Sequence, residues 1–300
     1  MTTDRPLLGI LLMLCFCAVI PVGDAIAKLL GDVIPLIQLL LARFGIQAVL
    51  MLPFVWLLGH ALTMPRRVFG LTIIRSLLHL FGVGFMFLSL QYLPLADAVA
   101  IAFVMPFISL LLGKFFLGEE VGFRRLAACV VGFIGTLLII QPSFEEVGAP
   151  ALLPLLVALS FALFMLVTRS VAKQVDPLSL QCVSGGVGTI VLGIAYIGLL
   201  PFELSSAQLV VPDAGSGFLL LALGVIGTIA HLLMTWSLRF APSTTVAPMQ
   251  YLEIPVAALI GWLFFADLPN GTAAIGVTIT VLAGLYVIFR EQQFSKKSPE

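Results

Sequence analysis

Of 300 residues, 61% are hydrophobic and 10% are charged, whereas soluble proteins carry roughly 25% charged residues. With a mean hydropathy of +1.18, a water-soluble core has no room for this much apolar surface, so lipid must be the solvent for much of it. That leaves little space for a separate soluble domain. The formal net charge of +0 names no partner, so the placement of the charges carries the information.

Crossing roughly 30 Å of hydrocarbon takes about twenty apolar residues. Ten segments qualify: 7–29, 33–58, 68–90, 96–117, 123–140, 151–171, 178–200, 217–238, 244–265 and 271–289. The predicted fold is an all-α polytopic membrane protein. Arg5 precedes the first run as in a signal peptide. The run is long, however, and Asp24 and Lys28 stand where a small-residue cleavage site belongs, so it reads as a retained helix. Short connections hold breakers such as Pro65, Pro94, Pro142, Pro177, Pro242 and Pro269. Cys15, Cys17, Cys129 and Cys182 lie in apolar runs with no CxxC spacing and read as small packing residues. No cofactor, metal or nucleic-acid partner is expected, only the bilayer and a small-molecule substrate.

Basic residues favour the cytoplasmic side. With ten spans, one side collects Arg5, Arg66, Arg67, Arg124, Arg125, Arg290, Lys296, Lys297 and most of the other basic residues. The opposite side receives only Lys28, and Arg43 and Arg75 fall inside spans. Both termini are therefore expected in the cytoplasm, with the chain in a bacterial inner membrane.

One stretch occurs twice. SLQYLPLADAVAIAFVMPFISLLLGKFFLGE begins at Ser89 and SLRFAPSTTVAPMQYLEIPVAALIGWLFFAD at Ser237. At an offset of 148, Pro94 falls on Pro242, Gly113 on Gly261, Phe116 on Phe264 and Glu119 on Asp267; Pro106 and Pro255 miss by one. The chain thus divides into two five-helix repeats, 1–145 and 146–300. An odd number of spans per repeat inverts the second copy, an architecture for alternating access. Duplication kept only for packing is the other reading.

Further residues carry a resemblance. Gly23, Lys28, Pro35, Arg43 and Phe44 near the start, Pro106, Gly113, Glu119, Gly132 and Gly135 in the first half, and Pro255, Gly261 and Gly276 in the second resemble the drug/metabolite transporter superfamily. The likeness is to its ten-helix EamA-type members, over essentially the whole chain. Asp267 stands where that pattern usually has glutamate, and Val22 where it commonly has tryptophan. Within the family the resemblance is to amino-acid and metabolite exporters, which implies export of small amphipathic metabolites, aromatic or apolar amino acids among them. Phe81, Phe85, Phe103, Phe107, Phe161, Phe164, Trp236 and Tyr251 lie on helices that resemble the family's cavity-lining set. Most of these rings are expected against lipid or in packing, with a few free to stack on substrate.

Ionisable groups inside a bilayer need a reason. At 1.5 Å per residue, Arg43, His79 and Glu253 each sit roughly 15 Å along their helices, near the midplane, and His231 lies in the middle third of its span. Glu253 shares a helix face with Gln250; a carboxylate and an amide there suit a substrate ammonium group. The alternatives for Glu253 are an ion pair with Arg43 or a protonated carboxyl in a packed interface. Arg43 offers paired donors to a carboxylate or holds helices together. His79 lines the cavity, relays a proton or bonds a neighbouring helix. The expected substrate contacts are Glu253, Gln250 and Tyr251, followed by His79, Trp236, Arg43, Phe103 and His231. Arg75 is expected to snorkel to the headgroups, Asp24 and Lys28 to pair at i, i+4 near the outer mouth, and Asp97 to suit a helix N-terminus. The run from Ser184 to Gly193 lets helices approach closely.

No paired aspartates, nucleophile elbow or metal cluster suggests an enzyme. A secondary transporter working by alternating access leads, with amino acids as substrate and proton coupling permitted by His79 and Glu253. An importer of a flavin or adenosyl compound is the alternative, and a channel or scaffold the third class.

Overall fold

In hydrocarbon each backbone polar group must be satisfied within its own segment, so apolar runs between breakers fold as helices. A computed structural model describes residues 5–118, 123–202, 208–267 and 271–295. Its helices are α1 (Pro6–Leu30), α2 (Leu36–Leu57), α3 (Arg66–Ser89), α4 (Leu95–Ala102), α5 (Met105–Leu117) and α6 (Phe123–Val147), then α7 (Leu153–Val171), α8 (Pro177–Leu199), α9 (Ala214–Phe240), α10 (Ser243–Val246), α11 (Glu253–Phe265) and α12 (Gly271–Ser295). Glu119, Pro269, Lys296 and Lys297 lie outside the described residues, as do the side chains of Pro106, Arg124, Arg125, Cys129, Pro142 and Arg290. Among the described residues there is no strand. Seven helical segments are long and apolar enough to cross a membrane, and shorter apolar helices at Leu126–Leu138, Met249–Phe265 and Ala274–Ala283 fall in the remaining three expected spans. Trp56, Phe115, Ile194 and Phe218 stay exposed on the outside, where lipid is the natural partner.

Two expected continuous spans are broken instead. The fourth stops at Ala102 and restarts at Met105. Proline has no backbone N–H, so Pro106 cannot donate the helical bond to the Ala102 carbonyl. The ninth passes from α10 through a 3₁₀ segment, Ala247–Leu252, into α11. The restarts, Met105 and Glu253, are one repeat offset apart, as are the left-handed residues that end α5 and α11, Gly118 (φ 64°) and Ala266 (φ 56°). Phe103 and Tyr251, also equivalent, meet ring to ring at 5.4 Å.

α1 shows that the copies are inverted. At its start the Arg5 amide donates to the Phe240 carbonyl at 2.7 Å, beside the Pro242 corner. Near its end Lys28 Nζ donates to the Leu93 carbonyl at 3.4 Å, beside the Pro94 corner. Twenty-five helical residues separate these ends by roughly 37 Å, so the corners lie on opposite faces.

The principal helix pairs all join one half to the other: α1 with α9, α2 with α8, α3 with α7, and α6 with α12. A movement of 1–145 against 146–300 as two bodies would open every one of these seams, so this packing does not suit a rocking of whole halves. Glycine makes the α2–α8 seam tight. A Cβ at Gly185 would sit 2.7 Å from the Ala48 backbone nitrogen, and one at Gly188 would sit 2.7 Å from the Phe44 ring.

Candidate functional site

The broken spans meet α1, α2, α3, α7 and α9 around a mid-membrane cavity of about 50 Å³. That holds a few waters, against roughly 300–1,000 Å³ for pockets that enclose drug-sized ligands. Four repeat-related pairs occur in the cavity lining: Val83 with His231, Met86 with Met234, Ala102 with Gln250, and Met105 with Glu253. In three of these pairs the first half supplies an apolar residue and the second a polar one.

Three charged side chains face this space, Asp24, Arg43 and Glu253, all buried. Asp24 lies within electrostatic reach of both Arg43 and Glu253. The Arg43 guanidinium is tethered: Nη1 donates to Gln47 Oε1 at 2.9 Å and Nη2 lies 3.0 Å from His231 Nδ1. Gln47 in turn donates to the Gln181 carbonyl at 2.9 Å. Gly227 makes room for it, since a Cβ there would fall on the Arg43 side chain. No Arg43–Glu253 ion pair occurs among the described residues, so the carboxylate faces the cavity without that partner. A fixed cation opposite two carboxylates suits a zwitterion with an additional positive charge. No group of residues able to hold a metal is found among the described residues.

Of the expected contacts, Arg43, Phe103, His231, Gln250 and Glu253 line the cavity, while His79, Tyr251 and Trp236 do not. His79 lies just behind it, its ring tilted 38° against His231 at 4.1 Å and flanked by Phe44 and Phe164, and neither ring nitrogen has a hydrogen-bond partner among the described residues. Tyr251 is buried behind Phe103. Trp236 packs with Met51, Val55, Cys182 and Leu232 at the α2–α8–α9 seam. Asp97 sits in the first turn of α4, as the helix dipole favours. Of the aromatic rings, Phe81 is exposed, Phe107 stacks on Phe133, and Phe161 joins Phe103 on the cavity.

Two expectations are corrected. Arg75 does not snorkel: it is fully buried, with Nε bonded to Thr168 Oγ1 at 2.8 Å, Nη1 to Ser184 Oγ at 2.6 Å and Nη2 to Thr235 Oγ1 at 3.1 Å. Hydroxyls from three other helices replace its water, and the Phe164 face lies 4.5 Å away. Asp24 and Lys28 do not pair either. Lys28 reaches across to Asp267 at 2.8 Å, with the Phe265 ring beneath it at 4.7 Å. This releases Asp24 into the cavity, one helical turn (roughly 6 Å) deeper than the latch. Sequence reasoning placed Asp24 at the mouth and so missed it as a site residue. The available signal was a charge beside Gly23 well inside an apolar run. At the other face, Asp176 lies 3.7 Å from both Arg239 and His60.

This geometry can be set beside known proteins. The EamA-like transporter family matches the chain twice, over residues 7–141 and 149–290. A protein of Rickettsia felis named S-adenosylmethionine uptake transporter is 28% identical over 93% of this chain and 91% of its own. One of Rhizobium johnstonii named riboflavin transporter is 30% identical over 85% and 82%. The pseudopaline exporter CntI of Pseudomonas aeruginosa is 25% identical over 92% and 94%. A solved crystal structure with a TM-score of 0.67 and 18% identity covers 96% of this chain and 98% of its own, a likeness of fold.

Proposed function

Because the chain belongs to the EamA-like transporter family and is a membrane transporter rather than an enzyme, we propose that it is a secondary carrier for an amino-acid-headed metabolite with surplus positive charge, of the S-adenosylmethionine type. One observation carries this reading: two buried carboxylates, Asp24 and Glu253, share a small cavity with one tethered guanidinium, Arg43. An amino-acid head brings one carboxylate, which Arg43 meets through charge-assisted hydrogen bonds, and one ammonium group, which Glu253 meets. A second cation on the same molecule meets Asp24. The relative named for S-adenosylmethionine agrees with this count, whereas the one named for riboflavin transports a solute with no charge to pair.

Transport proceeds by alternating access between the inverted halves, 1–145 and 146–300, with sliding units assembled from both because the tight seams join them. Lys28–Asp267 is the closed contact on one face, and Asp176 with Arg239 and His60 the contact on the other. The arginine-rich face is cytoplasmic by the positive-inside tendency, with both termini there, and the bacterial origin of the relatives supports an inner membrane. A secondary carrier is reversible, so the solute gradient sets its direction; relatives named for uptake and for export share the fold.

A second reading, a plain amino acid moved together with a proton, is favoured by the small cavity volume; the proton then occupies the second carboxylate. Counterflow in proteoliposomes separates the two. Saturable exchange of labelled S-adenosylmethionine, with little pH dependence, is expected on the first reading. Exchange of amino acids alone, accelerated by a proton gradient, supports the second. Flux that never saturates would mean a channel instead.

A further inference from the structure

This inference rests on the carrier reading and concerns what the substrate bears besides its charged head. Gln250 is fully buried and lines the cavity, and neither its Oε1 nor its Nε2 has a hydrogen-bond partner among the described residues. Two other interior glutamines are served: Gln47 donates to the Gln181 side chain at 3.0 Å, and Gln181 donates to Thr235 Oγ1 at 3.1 Å. Leaving both ends of a buried amide without a protein partner is costly, so the contrast marks Gln250 as a group kept for a ligand.

A primary amide presents an acceptor and a donor side by side in one plane. That pattern is the complement of a heteroaromatic edge with an exocyclic N–H beside a ring nitrogen, as in the two bonds between glutamine and the N6/N7 edge of adenine. Flat apolar walls stand nearby. Phe103 and Phe161 line the same cavity, and Phe103 rests on Tyr251 at 5.4 Å, so a planar ring entering here finds aromatic faces to stack on. Gln250 precedes Glu253 by one turn across the end of the 3₁₀ segment, which places the ring position and the ammonium position a short linker apart. A plain amino acid leaves the amide unmet, and a flavin meets it but leaves the three charges unpaired.

We infer that Gln250 is the specificity-determining residue that reads the donor–acceptor edge of an aminopurine ring, carried by the same molecule whose charged head meets Asp24, Glu253 and Arg43. The test is competition against counterflow of labelled S-adenosylmethionine in proteoliposomes, using its 7-deaza analogue, its N6,N6-dimethyl analogue and S-methylmethionine, which has the sulfonium head without the ring. In the wild type, deleting the N7 acceptor or the N6 donor weakens competition by roughly tenfold. In Gln250→Leu the ratio between S-adenosylmethionine and its 7-deaza analogue falls to about one. Equal competition by both base analogues in the wild type, which needs no variant to fold, overturns the proposal. So does a Gln250→Leu protein that keeps the preference. If the wild type exchanges S-methylmethionine or methionine and ignores S-adenosylmethionine, the ring assignment falls and the carrier reading stands. If none of these solutes moves, the carrier reading itself is lost.

Discussion

Val83, Met86, Ala102 and Met105 on one wall of the cavity occupy the positions that His231, Met234, Gln250 and Glu253 hold on the other. The backbones of the two walls agree where the spans resume: both broken spans restart at equivalent residues, and both second segments end in a left-handed residue. The chemistry does not agree. The half whose broken span gives the cavity only apolar residues contributes its charges from elsewhere, Asp24 on α1 and Arg43 on α2, and their repeat equivalents, Ala172 and Val191, carry none. The two copies thus share a matched break in the helix, while their side chains form a polar pole and an apolar pole around one cavity.

The sharpest way to break this comparison is to exchange chemistry at one equivalent pair. Glu253→Gln removes a charge-assisted contact of roughly 1.5–3 kcal/mol, so counterflow of S-adenosylmethionine should fall about 10- to 100-fold. Met105→Leu at the equivalent position conserves volume and should change it by less than roughly threefold. Equal losses at the two sites would mean that the walls are not chemically distinct.

Arg75 tests whether the buried polar groups behind the cavity are scaffold. Arg75→Leu strips three hydrogen bonds that average roughly 0.6 kcal/mol each in membranes, and a loss near 2 kcal/mol in unfolding from detergent is expected. No change in stability, with transport abolished, would assign Arg75 to the substrate instead. A smaller effect separates the two helix ends. Ala266→Gly should stabilise by about 1 kcal/mol and Gly118→Ala destabilise by about as much, because a left-handed residue with a Cβ is strained. Shifts of the same sign would show that the ends are not equivalent in the folded protein.

The smallest expected effect is at the latch. Lys28 and Asp267 are partly exposed, and such pairs contribute roughly 0.2–1 kcal/mol. Lys28→Met should therefore raise opening on that face only about twofold to fivefold. The measurement is the rate at which an impermeant thiol reagent reaches a cysteine placed at Ile20, in a background without other cysteines. An unchanged rate would remove the pair from the gate.

Much of the fold was legible because hydrocarbon leaves a chain few choices. The apolar runs, their prolines and the repeated Ser89 and Ser237 stretches predicted ten spans and an inversion, and α1 joins the two corners from opposite faces as that inversion requires. The breaks at Ala102 and Ala247–Leu252 were not read from the sequence: Pro106 and Pro255 stand in these spans, but a window of hydropathy reads straight across. The site was less legible. Depth along a helix picked out Arg43, Glu253 and His231, which line the cavity, but it also picked out His79, which sits one layer behind. Trp236, named from its helix alone, packs at a seam between helices. Arg75 was assigned to the headgroups because nothing in its own span shows Thr168, Ser184 and Thr235 converging on it.

By itself, then, the sequence determined solvent, crossings and inversion, since each of these follows from how many apolar residues stand between breakers. Only the tertiary structure decided that Lys28 leaves Asp24 for Asp267, that Asp24 thereby joins Glu253 around one cavity, and that the Gln250 amide stays open. A helix sets the depth of its side chains through its rise. The direction they face depends on how it rolls against neighbours, and those neighbours come from the other half of the chain, far away in sequence.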